Sequence, residues 1–233
     1  SAAVSALGRV LALSRVSQHH ALAWVPANAV FSDRLVVFAD ERDTLFGLLQ
    51  SRVHERWATF FGALHVDRPT YSPETGFSTF PFPHGWASSS TLEQAGREYS
   101  TFRADLMIRR GEGLTKTYNR FHDPAETSPG ILRLRALHDA MDRAVLDAYG
   151  WTDLRPTCEF LLDFEEDDGE ADDSARIRQR KKPWRYRWPD DFRDEVLARL
   201  LALNKNRASR ERSPDHEDRA PRPRERQGLS RAP

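Results

Sequence analysis

The feature that most constrains the fold is a change in the period of the apolar residues near residue 40. Before it, short apolar runs at residues 9–16, 21–26 and 34–39 have the composition and length typical of β-strands. After it, apolar residues recur at steps of three and four, which places them along one face of a helix. That stripe consists of Leu45, Leu49, Val53, Trp57, Phe60 and Leu64. The pattern predicts a small mixed β-sheet with an intervening helix, followed by a helical bundle, which is an α+β fold.

Capping residues indicate where the later helices begin and end. A serine cluster at residues 88–91 is expected to cap one helix, and a short helix is expected near residues 115–121. Pro129 fits the first turn of the next helix, which Gly150 is expected to end. A last amphipathic helix is predicted over residues 191–203.

The composition becomes strongly charged after residue 164. Residues 165–173 contain seven acidic side chains and residues 176–187 contain seven basic ones. Blocks of like charge seldom pack and are usually solvated. Beyond residue 204 the chain holds Arg, Pro, Ser and acidic residues without periodicity, which predicts a disordered C-terminal tail.

Charge and cysteine content exclude several classes of protein. The 35 basic and 35 acidic residues give a net charge of zero, which argues against a chain that grips a phosphate backbone alone. A single cysteine, Cys158, allows neither a disulfide framework nor a thiolate metal cluster. No apolar run approaches the roughly 20 residues needed to span a bilayer, and the first residues lack the design of a secretory signal. These features predict a cytoplasmic chain with no membrane contact.

No motif in the sequence indicates a catalytic, cofactor-binding or metal site. The pairs His19–His20 and His54–Glu55 are adjacent and lack the i, i+4 spacing of a helical zinc site. Cys158 lies in an apolar context, which favours a buried, inert thiol over a nucleophile. The chain has neither a nucleophile elbow nor a phosphate-binding glycine loop.

One segment, residues 181–188, interleaves bases with aromatic side chains. This composition suits phosphate contact together with base stacking. The alternative is that Trp184, Tyr186 and Trp188 dock onto the helices while the acidic run neutralises the bases.

Several long strings resemble one family, the large bacterial adenine-specific DNA methyltransferases of restriction-modification and phage-defence systems, including fused restriction-methylation enzymes. The resemblance covers most of residues 8–203. It rests on Ser51–Ala58, Tyr71–Pro73, Phe77–Pro83, Gly113–Pro124, Leu134–His138, Met141–Val145 and Lys182–Pro189.

The resemblance implies an enzyme in two parts. One part binds S-adenosylmethionine and carries an Asn-Pro-Pro-Tyr motif, and the other recognises the target sequence. This chain contains no Asn-Pro dipeptide and no glycine-rich cofactor loop. It is therefore expected to be the target-recognition portion, without its own catalytic domain or cofactor. Its expected partners are double-stranded DNA and a catalytic methyltransferase domain or subunit.

Two other readings stay open at this point. The chain is alternatively a stand-alone interaction subunit, or a decayed gene product, that docks on a methyltransferase or another defence protein. An independent nuclease is a third reading, but it needs a carboxylate–lysine cluster that the sequence does not show.

The resemblance also implies a division of the chain. The expected regions are a target-recognition module at 1–85, a helical region at 86–164, a charged flexible linker at 165–182, an aromatic segment with the terminal helix at 183–204, and a disordered tail at 205–233.

Two groups of polar residues are the candidates for DNA contact. The first lies between the first two strands, as a hairpin tip, and the second lies in the segment Leu114–Pro124. For each group the alternative is structural: a solvated turn for the first, and for the second a connector whose bases pair with Asp123, Glu126 or Asp139. The first group is Arg15, Ser17, Gln18, His19 and His20, and the second is Lys116, Asn119 and Arg120.

Overall fold

The computed structural model describes residues 4, 6–65, 68–162 and 184–211. Three strands form one sheet in the order β2-β1-β3, and both pairings are antiparallel. The central strand buries four consecutive apolar residues, as expected for a strand covered on both faces. The α+β class is confirmed, and the pairing within the described residues is antiparallel throughout. These strands are β1 (Arg9–Ser14), β2 (Ala23–Pro26) and β3 (Leu35–Phe38).

Helices make up most of the remaining chain, with two small hairpins between them. No helix in the described part of the chain is both long and apolar enough to cross a membrane. The helices are α1 (Asp43–Gln50), α2 (Arg52–Phe61), α3 (Ser90–Arg110), α4 (Leu114–Phe121), α5 (Pro129–Ala148) and α6 (Asp190–Glu211). The hairpins pair β4 (Ala63–His65) with β5 (Arg68–Thr70), and β6 (Glu159–Leu162) with β7 (Trp184–Arg187).

The first helical stripe is divided between two helices instead of one. Ser51 adopts an extended conformation, with φ −66° and ψ 155°, and this ends α1. Its hydroxyl then accepts a hydrogen bond from the backbone N–H of His54 and caps α2. The expectation of a continuous helix through Leu64 is wrong because Gly62 ends α2 and Leu64 belongs to β4.

The sheet and the long helices share one hydrophobic core. Leu11 of β1, Phe46 of α1, Tyr99 of α3 and Leu134 of α5 belong to the same buried cluster. Gly96 lets α1 and α3 approach closely, since a Cβ there would lie 2.2 Å from the carbonyl oxygen of Asp43. The sheet and α1 are therefore packed directly against the helical region that follows them.

The terminal helix extends further than the sequence pattern indicates. It continues to Glu211, so residues 205–211 are helical and not part of a disordered tail. Asn204 donates a hydrogen bond to the carbonyl oxygen of Thr79 (2.5 Å), and Arg207 donates one to that of Phe82 (2.6 Å). These two polar side chains hold the last part of the helix by donating to carbonyl groups. Such contacts leave no apolar period in the sequence. The linker at 165–182 and the tail beyond Glu211 lie outside the described residues.

We expect truncation after Leu203 to lower the melting temperature by several degrees, because it removes both hydrogen bonds and the last turns of α6. Truncation after Glu211 is the control. It removes residues 212–233, whose polar composition predicts no loss of stability. Differential scanning calorimetry of the two truncated chains and the full chain makes the comparison. Equal melting temperatures for both truncations would show that residues 204–211 contribute nothing.

Candidate nucleic-acid interface

The connection between β1 and β2, residues 15–22, is folded inward against the helices. His19 is only 6% exposed, and its Nε2 atom lies 2.8 Å from Oδ1 of Asn119 on α4. The Nε2 atom of His20 lies 2.7 Å from the carbonyl oxygen of Leu49 on α1. The expected solvated hairpin tip is therefore wrong for these two side chains, since both find partners within the fold.

A buried polar network fixes the end of the same connection. Gln50 accepts a hydrogen bond from the backbone N–H of Leu22 (2.9 Å) and donates one to the carbonyl oxygen of His20 (2.8 Å). Arg103 of α3 donates to Gln50 (3.1 Å), to the hydroxyl of Tyr118 (2.8 Å) and to the carbonyl oxygen of Leu22. Polar groups from α1, α3 and α4 thus hold the connection in one conformation.

Burial keeps the histidines in this region uncharged at neutral pH. It lowers the pKa of His19 and His20 below the ordinary value of 6.5, and the pKa of His54 and His122 well below it. The rings of His19 and His122 are stacked with their centroids 5.4 Å apart. Neutral, buried rings offer no positive charge to a phosphate, so His19 and His20 serve in this structure to anchor the connection.

Other members of the first predicted group reach solvent. Arg15 and Gln18 are exposed, and Ser17 is half-buried. Arg15 donates a hydrogen bond to the carbonyl oxygen of Asp33 (2.9 Å), while the carbonyl oxygen of Gln18 accepts one from Arg185 (3.3 Å). These hydrogen bonds hold the Arg15 side chain and the backbone of Gln18 in place. Contact of Arg15, Ser17 and Gln18 with DNA stays a prediction.

The second predicted group is divided between a structural and an exposed role. Arg120 forms ion pairs with Glu112 (2.9 Å) and Glu126 (2.6 Å). Hydrogen bonds from Ser128 and Arg120 lower the pKa of Glu126 to about 2. Arg120 therefore has the structural role that the alternative interpretation predicts, in which this segment is a connector whose bases form ion pairs.

Lys116 of the second group is exposed over 71% of its side chain, and its Nζ atom lies 3.7 Å from Glu112. An exposed pair at this distance contributes little to stability, so Lys116 can also reach a phosphate. Asn119 is exposed but accepts the hydrogen bond from His19. That bond brings the two predicted groups together, although 100 positions separate them in sequence.

The aromatic segment mostly docks onto the fold. Trp188 is buried, at 2% exposure, and the Tyr186 hydroxyl donates a hydrogen bond to Asp139 (2.8 Å). Trp184, at 45% exposure, is the aromatic side chain of β7 left to stack on a base. Lys181 and Lys182 lie outside the described residues.

The described residues offer no sign of covalent or metal chemistry. Among them, no group of three or more His, Cys, Asp or Glu side chains is arranged to hold a metal ion. Burial raises the pKa of the Cys158 thiol, whose sulfur lies 3.4 Å from Asp139, so this thiol is a poor nucleophile.

A cleft beside the β1–β2 connection contains polar residues that the sequence reading missed. It is bounded by that connection, by α2 and by β5, where a bridge joins Val16 to Thr70. Glu55 and Thr59 lie four residues apart on α2 and face the cleft together. The i, i+4 spacing of these two polar residues, next to the apolar stripe, was the signal in the sequence that could have indicated them. We refer to Ser17, Gln18, Glu55, Thr59 and Thr70 as the polar cleft.

The fold and this surface combine a small sheet, supported by helices, with polar side chains presented from a fixed connection. Residues 9–84 match the family model described as the target recognition domain of MmeI. The target-recognition resemblance is confirmed for that stretch, which contains every residue that lines the cleft.

The fold is also similar to a solved structure, that of the Type IIL restriction-modification enzyme MmeI in complex with DNA. The match has a TM-score of 0.56 at 17% sequence identity and covers 86% of this chain. It covers 21% of the MmeI chain, so this chain spans about a fifth of that enzyme's length. The likeness therefore shows a common fold. No curated protein sequence matches the chain.

Proposed function

We propose that the chain is the DNA-reading part of a restriction-modification enzyme of the MmeI type. The observation that carries this proposal is the match of residues 9–84 to a target recognition domain. The parent enzyme would methylate the N6 amine of adenine in a defined DNA sequence, in the cytoplasm and in defence against phage. Its catalytic domain would lie in another part of the enzyme or in a partner subunit.

The chemistry of DNA methylation explains why a separate reading part is needed. An enzyme that modifies a base must take that base out of the duplex. Another module then holds the duplex in register and reads base edges in the major groove. A rigid support for the reading side chains lowers the entropic cost of binding. The hydrogen bonds of Gln50 and Arg103 provide such a support for the β1–β2 connection.

The charge distribution is consistent with a reader that depends on a larger protein for affinity. Lys116 and Arg15 are exposed basic side chains on the described surface, but the net charge of the chain is zero. Phosphate contacts supply most of the affinity of DNA-binding proteins. We therefore propose that this part supplies discrimination and that the catalytic part supplies further phosphate contacts.

S-adenosylmethionine is proposed as the cofactor of the parent enzyme and not of this chain. The 233 residues include neither an Asn-Pro dipeptide nor a glycine-rich cofactor loop, so this chain offers no known means of holding the cofactor. We expect isothermal titration calorimetry of the isolated chain with S-adenosylmethionine to give no binding heat. Micromolar affinity would contradict this assignment.

DNA binding by the chain tests the proposed function directly. A pool of random duplexes is incubated with the chain at low salt, and the bound fraction is amplified and sequenced over several rounds. We expect enrichment of one short motif, and binding that weakens as a linear function of log salt concentration. Binding without enrichment, or no binding, would contradict the proposed function. A stand-alone docking subunit predicts no binding to DNA, together with a stable complex with a methyltransferase subunit.

A further inference from the structure

The polar cleft has the properties of a binding site for a hydrogen-bond donor. Its lining combines a carboxylate at Glu55, an amide at Gln18 and hydroxyl groups at Ser17, Thr59 and Thr70. Thr59 satisfies its own hydroxyl by donating to the carbonyl oxygen of Glu55 (2.8 Å). The side chains of Glu55, Gln18 and Thr70 are not used in this way.

Glu55 is the strongest acceptor in the cleft. Its residue is half-buried, and within the described part of the chain no hydrogen bond or ion pair engages its carboxylate. Its charge does act at longer range, where it favours the protonated forms of His19, His20 and Arg193. The Glu55 carboxylate oxygens are not among the buried unpaired atoms of the described residues, so they are open to solvent and can accept a hydrogen bond from a ligand without giving up a protein partner.

Two buried atoms of the lining also lack a partner. The Thr70 hydroxyl oxygen and Nδ1 of His19 are inaccessible to solvent and have no hydrogen-bond partner among the described residues. Because both atoms are closed to solvent, neither can bond a ligand directly. The accessible side chains of Glu55 and Gln18 are therefore the ones that can meet a ligand in the cleft.

We propose that the polar cleft receives the exocyclic amino group of one base, adenine N6 or cytosine N4, in the major groove of duplex DNA, and that Glu55 accepts its hydrogen bond. This inference rests on the proposed function and adds to it a residue that determines specificity. Adenine and cytosine present donors at these atoms, whereas guanine and thymine present acceptors at the corresponding atoms. Gln18, which is exposed, supplies the neighbouring polar contact.

The chemistry of the cleft favours a base edge over a phosphate. A carboxylate repels the phosphate backbone, and the histidines beside it are uncharged at neutral pH because burial lowers the pKa of both. An arginine or lysine from another protein segment would also pair with Glu55. The cleft lies wholly within the residues that match a target recognition domain, which favours DNA as the occupant.

The test combines an amino acid change with the removal of one atom group from the DNA. The full chain and its Glu55→Met variant, which removes the acceptor oxygens and keeps a side chain of similar length, are measured against the selected duplex by fluorescence anisotropy. In a set of duplexes, the amino group at each selected adenine or cytosine is replaced by hydrogen in turn. We expect the unaltered chain to lose about 10-fold in affinity at one position, and Glu55→Met to lose affinity for the intact duplex but almost none on amino deletion there.

Two further variants separate recognition from folding. Glu98→Met is the matched control, because Glu98 is exposed on α3, outside residues 9–84. Its affinity and its amino-deletion profile should equal those of the unaltered chain. Gln18→Ala should leave the melting temperature unchanged, because the Gln18 side chain is exposed, while it weakens binding several-fold.

The outcomes distinguish this inference from the proposed function. Failure of the unaltered chain to bind DNA would overturn both. Selection of a motif by the unaltered chain, with the same amino-deletion profile in Glu55→Met, would overturn the inference alone and is what a protein side chain in the cleft predicts. Equal weakening by Glu55→Met on every DNA sequence would also overturn it, since a base contact cannot act uniformly.

Discussion

Replacing Arg52 with methionine should lower the free energy of unfolding by about 3–5 kcal/mol, because it leaves a buried carboxylate without its main partner. Arg52 is 5% exposed and Asp142 is 1% exposed. The guanidinium donates to Asp142 (2.6 Å) and to Asp139 (2.9 Å), and the backbone N–H of Arg52 donates to Asp142 as well (2.9 Å). Burial alone disfavours the guanidinium charge, yet Asp142 and Asp139 together raise the pKa of Arg52.

The size of this effect follows from what remains after the change. Without the guanidinium, the ionised Asp142 keeps the backbone N–H of residue 52 (2.9 Å) and His138, whose Nδ1 lies 3.4 Å away. Domains of this size are stable by about 5–15 kcal/mol in all, so the variant should unfold at a much lower urea concentration. Because Arg52 lies on α2 and Asp142 on α5, the loss of this ion pair weakens the packing of α2 against α5. The helix α2 belongs to the stretch that matches a target recognition domain.

Arg56→Met provides a matched control on the same helix. Arg56 pairs with Asp194, whose side chain is 69% exposed, and such a pair contributes at most about 1 kcal/mol. The double variant Arg52→Met with Asp142→Leu should recover a large part of the lost stability, since both charges are then absent. A cost below 1 kcal/mol for Arg52→Met, or no recovery in the double variant, would show that the ion pair is not the cause.

The three strands of the first sheet and the main helices could be predicted from the apolar pattern, but the two small hairpins and the break at Ser51 could not. Leu49 and Val53 lie four residues apart on either side of it, so the stripe continues across the break. Only the extended dihedral angles of Ser51 show that α1 has ended. Local periodicity reports which face is buried and does not report whether the backbone is continuous.

The inward folding of the β1–β2 connection could not be predicted from the sequence either, for a different reason. A short polar run between two strands has the composition of a solvated turn. Its partners lie far along the chain: Leu49 is 29 positions from His20, and Asn119 is 100 positions from His19. Long-range hydrogen bonds leave no trace in the run itself. Neither the contact between the two candidate groups nor the burial of His19 could therefore be predicted from the sequence.

The burial of several histidines makes the stability of the protein depend on pH in a defined direction. In the unfolded chain these histidines titrate near pH 6.5, whereas burial holds the pKa of His20, His54 and His122 lower in the folded protein. The rings lie near one another: those of His20 and His54 are 5.6 Å apart, and Nε2 of His54 lies 3.0 Å from the Tyr71 hydroxyl. Protonating any of them inside the fold would place a charge where burial removes water, and at His122 the nearby charges of Arg185 and Arg52 oppose it further.

The sign of the effect follows from which state binds more protons. Above about pH 6.5 the histidines are neutral in both states, so the native fold keeps its full stability. Below that pH the unfolded chain takes up protons that the folded protein refuses, and stability falls until the folded pKa of each group is reached. For each unit by which folding lowers a histidine pKa, the free energy of unfolding falls by about 1.4 kcal/mol once the pH is below the folded pKa. Glu55 opposes the shift at His19 and His20, so His54 and His122 should contribute most.

We therefore expect the melting temperature to fall by at least several degrees between pH 7.5 and pH 5.5, before the carboxylates begin to titrate. His54→Gln should show a shallower decline over this interval, because glutamine cannot take up the proton and can still bond to Tyr71. His84→Gln is the control, since His84 is exposed on a turn, and it should reproduce the decline of the unaltered chain. Circular dichroism melts at half-unit steps of pH measure all three. A flat profile down to pH 5.5 would mean that the folded protein accepts these protons, and the buried rings would then have to gain acceptors that this structure does not provide in its described residues.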